Sequence, residues 1–124
     1  MNDVKATLDR FYQAWADQDA DAIAALYTED ASAVLPGVLR QGRETLRAYF
    51  KGAFEGPLKG SRGVDDPIEI RMLGDDCAVV VSKAGILMAG QEQMPAELEV
   101  RATWVLHRQD GEWRIAAYAN APAH

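Results

Sequence analysis

A single cysteine, Cys77, occurs among the 124 residues, so no disulfide can form within the chain and a cytoplasmic setting is expected. Histidine is almost as scarce, with only His107 and His124. Together they supply too few ligands for a zinc site, and no metal or other cofactor is expected. Basic residues are in deficit: 13 Lys plus Arg stand against 19 Asp plus Glu, a net charge of −6. Nucleic-acid binding needs a concentrated positive patch, which argues against that partner. Long apolar runs are missing as well. None approaches the ~20 residues of a membrane span, and the charged opening MNDVKATLDRFYQAW is unlike a secretory signal. What is present is 48% hydrophobic and 26% charged residues, the balance of one globular domain over residues 1–124 with a single core.

Val4, Leu8, Phe11, Tyr12 and Trp15 recur at helical spacing and predict an amphipathic first helix. Phe11 and Trp15 can also wall a pocket. The run ADQDAD follows, with Asp19 placed to cap a short second helix through Ile23, Leu26 and Tyr27. Asp17, Asp19 and Asp21 imitate the start of a calcium loop, but Ala22 and Thr28 stand where its glycine and glutamate belong. Ala31 to Leu35 reads as a short strand ended by Pro36-Gly37, and Leu46, Tyr49, Phe50 and Phe54 mark a third helix. Residues 56–67 read as a flexible connection, or as a lid over a cavity. Their glycines fit neither the dinucleotide fingerprint nor the P-loop.

From Ile68 the period changes to two. A two-residue turn at Gly74-Asp75 would pair Ile68 with Val81, Ile70 with Val79 and Met72 with Cys77, which makes Cys77 inert packing in an apolar row. Asp110-Gly111 is a type I′ hairpin signal. It would pair His107 with Arg114, Val105 with Ala116, Thr103 with Tyr118 and Arg101 with Asn120. Trp104, Leu106, Trp113 and Ile115 then share the opposite face. Helices followed by an antiparallel sheet make an α+β fold.

The stretches RFYQAWADQDADAIAALYTEDASAVLPG, QGRETLRAYF and DGEWRIAAYANAP resemble the nuclear-transport-factor-2-like superfamily, in particular its SnoaL-like and SgcJ/EcaC-type members. The resemblance implies a cone: a strongly bent antiparallel sheet wrapped around three N-terminal helices and enclosing an apolar pocket. Apolar content alone favours burying the Trp104–Trp113 face. The resemblance instead turns Thr103, Tyr118 and Asn120 inward, beside Phe11, Trp15 and Tyr49; Arg101 either fixes an anionic or carbonyl oxygen of the ligand or pairs with Glu99 or Glu97 at the rim. The resemblance leaves Trp104, Leu106, Trp113 and Ile115 on an outer face, where a homodimer would cover them.

Within this superfamily the ketosteroid isomerases use a carboxylate base, a tyrosine and a protonated aspartic acid. Their positions fall near Leu35, Phe11 and Thr103, so that mechanism is not supported. Arg101 fits the arginine of the epoxide-hydrolase members, but Thr103 and Tyr118 or Asn120 replace the carboxylates. No catalytic residue is assigned. Two readings follow. One is a pocket for a small apolar, carbonyl-containing compound of polyketide or steroid type, with isomerisation, cyclisation or dehydration as its chemistry. The other is a non-catalytic binding, accessory or dimerisation domain.

Overall fold

A computed structural model describes residues 2–124. The apolar stripe of the first segment forms α1 (Asn2–Ala16), burying Val4, Leu8, Phe11 and Trp15. Gln18 stops it in the left-handed region at φ 58°. Asp19 then caps α2 (Ala20–Ala25) as its sequence position suggests, its carboxylate accepting from Ala22 N at 3.0 Å. This helix is shorter than expected, because Tyr27 already belongs to β1 (Tyr27–Leu35). The chain reverses at Pro36-Gly37 into an unanticipated short strand, β2 (Val38–Gln41), before α3 (Arg43–Glu55) buries Leu46, Phe50 and Phe54. Arg43 ties the start of α3 to β1 by donating to the Tyr27 carbonyl at 2.7 and 3.1 Å.

Four long strands complete the chain: β3 (Arg62–Met72), β4 (Cys77–Leu87), β5 (Val100–Gln109) and β6 (Glu112–Pro122). The segment read as a connection up to Pro67 is therefore strand from Arg62 onward. The six strands lie in the order β2-β1-β6-β5-β4-β3. The fold is α+β as expected, with three helices on a strongly curved, open sheet. One feature of the expectation is corrected: the sheet is mixed, because β1 runs parallel to β6 while all other neighbours are antiparallel.

Two bulges decide which side chains face the helices. In the last hairpin, Asp110 (φ 51°) and Gly111 (φ 80°) both adopt the positive φ of a type I′ turn. The expected pairing of His107 with Arg114 holds. Ala116 is then extra on β6, so Val105 pairs with Ala117, Trp104 with Tyr118 and Ala102 with Asn120. A bulge adds a residue to one strand and reverses the facing of everything beyond it. Ile115 and Tyr118 consequently both point to the concave side with Trp104 and Leu106. The assignment of Trp104, Leu106, Trp113 and Ile115 to an outer surface is overturned, since all four are buried within the chain.

The earlier hairpin differs by one residue for another reason. Its connection spans Leu73 to Asp76 and is closed by Leu73 N donating to Cys77 O at 2.8 Å, so Met72 meets Ala78 and Ile70 meets Val80. Cys77 accordingly lies half-buried on the convex side opposite His107, not in the inner row. Ile68 is the extra residue of the second bulge and is exposed. Pro67 precedes it on the edge strand, where a missing N–H costs least.

Phe11 sits at the centre of the aromatic core. It meets Trp15, Tyr27, Phe50 and Trp104 edge-on at centroid distances of 5.1 to 6.2 Å, contacts worth about 0.5–1.5 kcal/mol each beyond burial.

Candidate functional site

The concave face and the helices do not meet everywhere. Between them lies a cavity of about 360 Å³, within the range of small-molecule sites. Phe11, Trp15 and Trp104 form its deep end, while Leu46, Tyr49 and Phe50 form the α3 wall. Met88 and Leu98, from the long connection between β4 and β5, stand partly exposed at the mouth. No residue of 56–67 borders the cavity, so that segment is not its lid.

The polar part of the wall is built by strand register. Arg40 on β2, Ala33 on β1, Tyr118 on β6 and Trp104 on β5 are successive partners across four adjacent strands, and all four line the cavity. Adjacent strands lie about 4.8 Å apart, which sets Arg40 and Tyr118 roughly 10 Å apart at Cα with only the Ala33 methyl between them. The Arg40 guanidinium lies over the Tyr49 ring, 3.6 Å from its centroid. Asn120 Nδ2 donates to Tyr118 Oη at 2.8 Å, so the phenol keeps its own proton to donate. Burial raises the Tyr118 phenol above its usual range, although the bond from Asn120 opposes this. It is therefore a neutral donor at physiological pH. Burial likewise raises Tyr27, with the charge of Arg40 acting against it.

Behind the deep end lies a second polar cluster. Tyr12 Oη donates to Asp65 Oδ2 at 2.8 Å and Trp104 Nε1 donates to the same oxygen at 3.3 Å. Ser82 Oγ is buried beside them, short of a full hydrogen bond. Burial raises the Asp65 carboxyl above its usual range, and Ser82, Tyr12 and Trp104 pull it back. Desolvation and Asp65 together hold Tyr12 well above the ordinary phenol range. Asp65 does not border the cavity; it opens on a shallow outer groove between α1 and β3.

Of the expected site residues, Phe11, Trp15, Tyr49, Tyr118 and Asn120 converge on the cavity. Arg101 and Thr103 do not. The Ala116 bulge leaves them on the convex side, where both are exposed and Arg101 pairs with Glu99 at 3.4 Å. Arg40, Tyr12, Asp65 and Trp104 were missed. For Arg40 the available signal was the Pro36-Gly37 turn, which implies a returning strand. For Asp65, an acid two residues before a proline carries none.

Among the described residues the cavity wall holds no carboxylate and no imidazole, so none of these lining residues offers a carboxylate or histidine as general base. It can hold a molecule, solvate an oxygen and place a positive charge beside it.

An open curved sheet closed by helices around an apolar hollow defines a class of small pocket domains. The chain belongs to the SnoaL-like domain family, whose family model covers residues 4–121. It is similar in fold to a domain of unknown function from Nostoc punctiforme, at 21% identity and a TM-score of 0.87 over 98% of this chain and 75% of that one. An NTF-2 like protein of unknown function from Shewanella oneidensis shares 21% identity, with a TM-score of 0.81 over 96% of each chain. A ketosteroid isomerase-like protein from Erwinia carotovora atroseptica also shares 21% identity, at 0.77 over 99% of this chain and 95% of that one. No curated protein matches the chain.

Proposed function

We propose that this domain binds a small apolar compound carrying a carbonyl group. The supporting observation is an apolar hollow of about 360 Å³ with a single polar corner, where a neutral Tyr118 braced by Asn120 has a proton to donate. A ligand oxygen that accepts from this hydroxyl adds a hydrogen bond worth about 0.5–1.5 kcal/mol net. The relatives of this fold include one named as ketosteroid isomerase-like, and enolate stabilisation by Tyr118 is the turnover this corner would support. Binding without turnover is the reading that the missing base favours.

Fluorescence titration with 2-acetylnaphthalene tests binding. Trp15 and Trp104 line the hollow, so saturable quenching is expected, with a smaller response in Trp15→Phe. No response would contradict the proposal. Deuterium uptake at the ketone's methyl group separates the two readings: acceleration lost in Tyr118→Phe supports catalysis, and the solvent rate supports binding alone.

A cytoplasmic setting belongs to the same proposal, supported by the single cysteine. So does a homodimer, with its face reassigned to the convex side. There Val81, Val105 and Ala117 are half-buried beside Thr103. Equilibrium sedimentation at micromolar concentration is expected to return a dimer, and a monomer would contradict it.

A further inference from the structure

Among the described residues the cavity holds one charge, and no counter-ion pairs with it. Arg40 is the only cationic side chain among those lining the wall. The ion pairs among the described residues engage Lys5, Arg47, Arg71, Arg101, Arg108, Arg114 and, when protonated, His124 with acids outside the cavity, and none involves Arg40. Its guanidinium lies against the Tyr49 ring, 3.6 Å from the centroid, on a half-buried residue. Stacking of this kind fixes the guanidinium plane while leaving its N–H edge free, and that edge matches a carboxylate. The chain as a whole carries −6. Long-range attraction thus does not favour anions, and selection for one must be local.

The strand register supplies the rest of the subsite. Ala33 separates Arg40 from Tyr118 in the same cross-strand row, and a larger residue there would fill the gap between them. We infer that the cavity takes an amphipathic organic acid. Its carboxylate sits over Ala33 between the Arg40 guanidinium and the Tyr118 hydroxyl, and its apolar body lies among Phe11, Trp15 and Trp104. This rests on the reading of the hollow as a ligand site and narrows it: the carbonyl group becomes a carboxylate. Tyr118 donates to one oxygen while Arg40 neutralises the charge, a charge-assisted pair of contacts.

The test compares two ligands of nearly equal shape at neutral pH, 2-naphthoate and 2-acetylnaphthalene, by calorimetric titration of the intact chain. The acid is expected to bind at least about tenfold more tightly than the ketone, the scale of one charge-assisted hydrogen bond. In Arg40→Gln that ratio should fall to about one. Arg101→Gln, which alters an exposed ion pair on the convex side, should preserve it. A ketone bound as tightly as the acid by the unaltered chain would overturn the carboxylate subsite and leave the pocket reading standing. A ratio surviving Arg40→Gln would overturn the assignment to Arg40. Binding of neither ligand would remove the pocket reading and this inference together.

Discussion

The two polar clusters on the concave side are built from similar parts and end in opposite conditions. At the deep end, one carboxylate, Asp65, is met by a phenol and an indole that have nowhere else to donate. At the other end, a phenol and a guanidinium flank an alanine, and neither closes on the other. In the first cluster the carboxylate accepts from two side chains of the protein, with only Ser82 Oγ left short of a partner, and it is part of the packing. The second has donors that no acceptor among the described residues engages. Donors engaged by a protein carboxylate argue for rigidity and donors left over argue for a ligand, which is why the proposed ligand is placed at the Arg40 end.

Substitutions can break that contrast. Trp104 is 2% exposed and joins the Phe11 core to Asp65. Trp104→Ala should cost about 3–5 kcal/mol in urea unfolding. Arg40→Gln, at the ligand end, should stay within about 0.5 kcal/mol of the parent. Equal losses would erase the distinction. At Gly63 a Cβ would strike the Tyr12 ring. Gly63→Ala should therefore destabilise by about 1–3 kcal/mol through overpacking, read as a lower unfolding midpoint.

A smaller effect sharpens the contrast through pH. Burial raises Asp65 in the folded chain above its ordinary 3.8, so the folded state keeps a proton that the unfolded state has released. Stability from this group is greatest below 3.8, falls as pH rises towards the raised folded value, and is level above it. Asp65→Asn should remove that decline. Unfolding midpoints of the two proteins from about pH 3.5 to about pH 7 check it, and a difference that grows the other way would contradict the assignment.

Much of this architecture was legible in the sequence. Helical spacing located α1 and α3, Asp19 marked the cap of α2, and Asp110-Gly111 marked the final turn. The cavity was legible in part, through Phe11, Trp15, Tyr49, Tyr118 and Asn120. Facing was the obstacle. Apolar content pointed Trp104 inward and the resemblance pointed Tyr118 inward; with an unbroken ladder these exclude each other. One bulge at Ala116 makes both true. Nothing in the run Ala116-Ala117 distinguishes the bulged residue from its neighbour, because each side chain is a methyl. Arg101 and Thr103 were lost to the same slip. Arg40 was hidden because a strand of four residues, β2, leaves almost no periodic signal.

The proposed ligand occupies the space above Ala33, and that placement is open to calorimetric titration of 2-naphthoate into the parent chain and into Ala33→Phe, with thermal unfolding run alongside to establish that both are folded. Saturable binding by the parent and none by a folded Ala33→Phe, whose ring occupies the gap, is the predicted result. Equal affinity in the two proteins would place the ligand elsewhere and contradict the account.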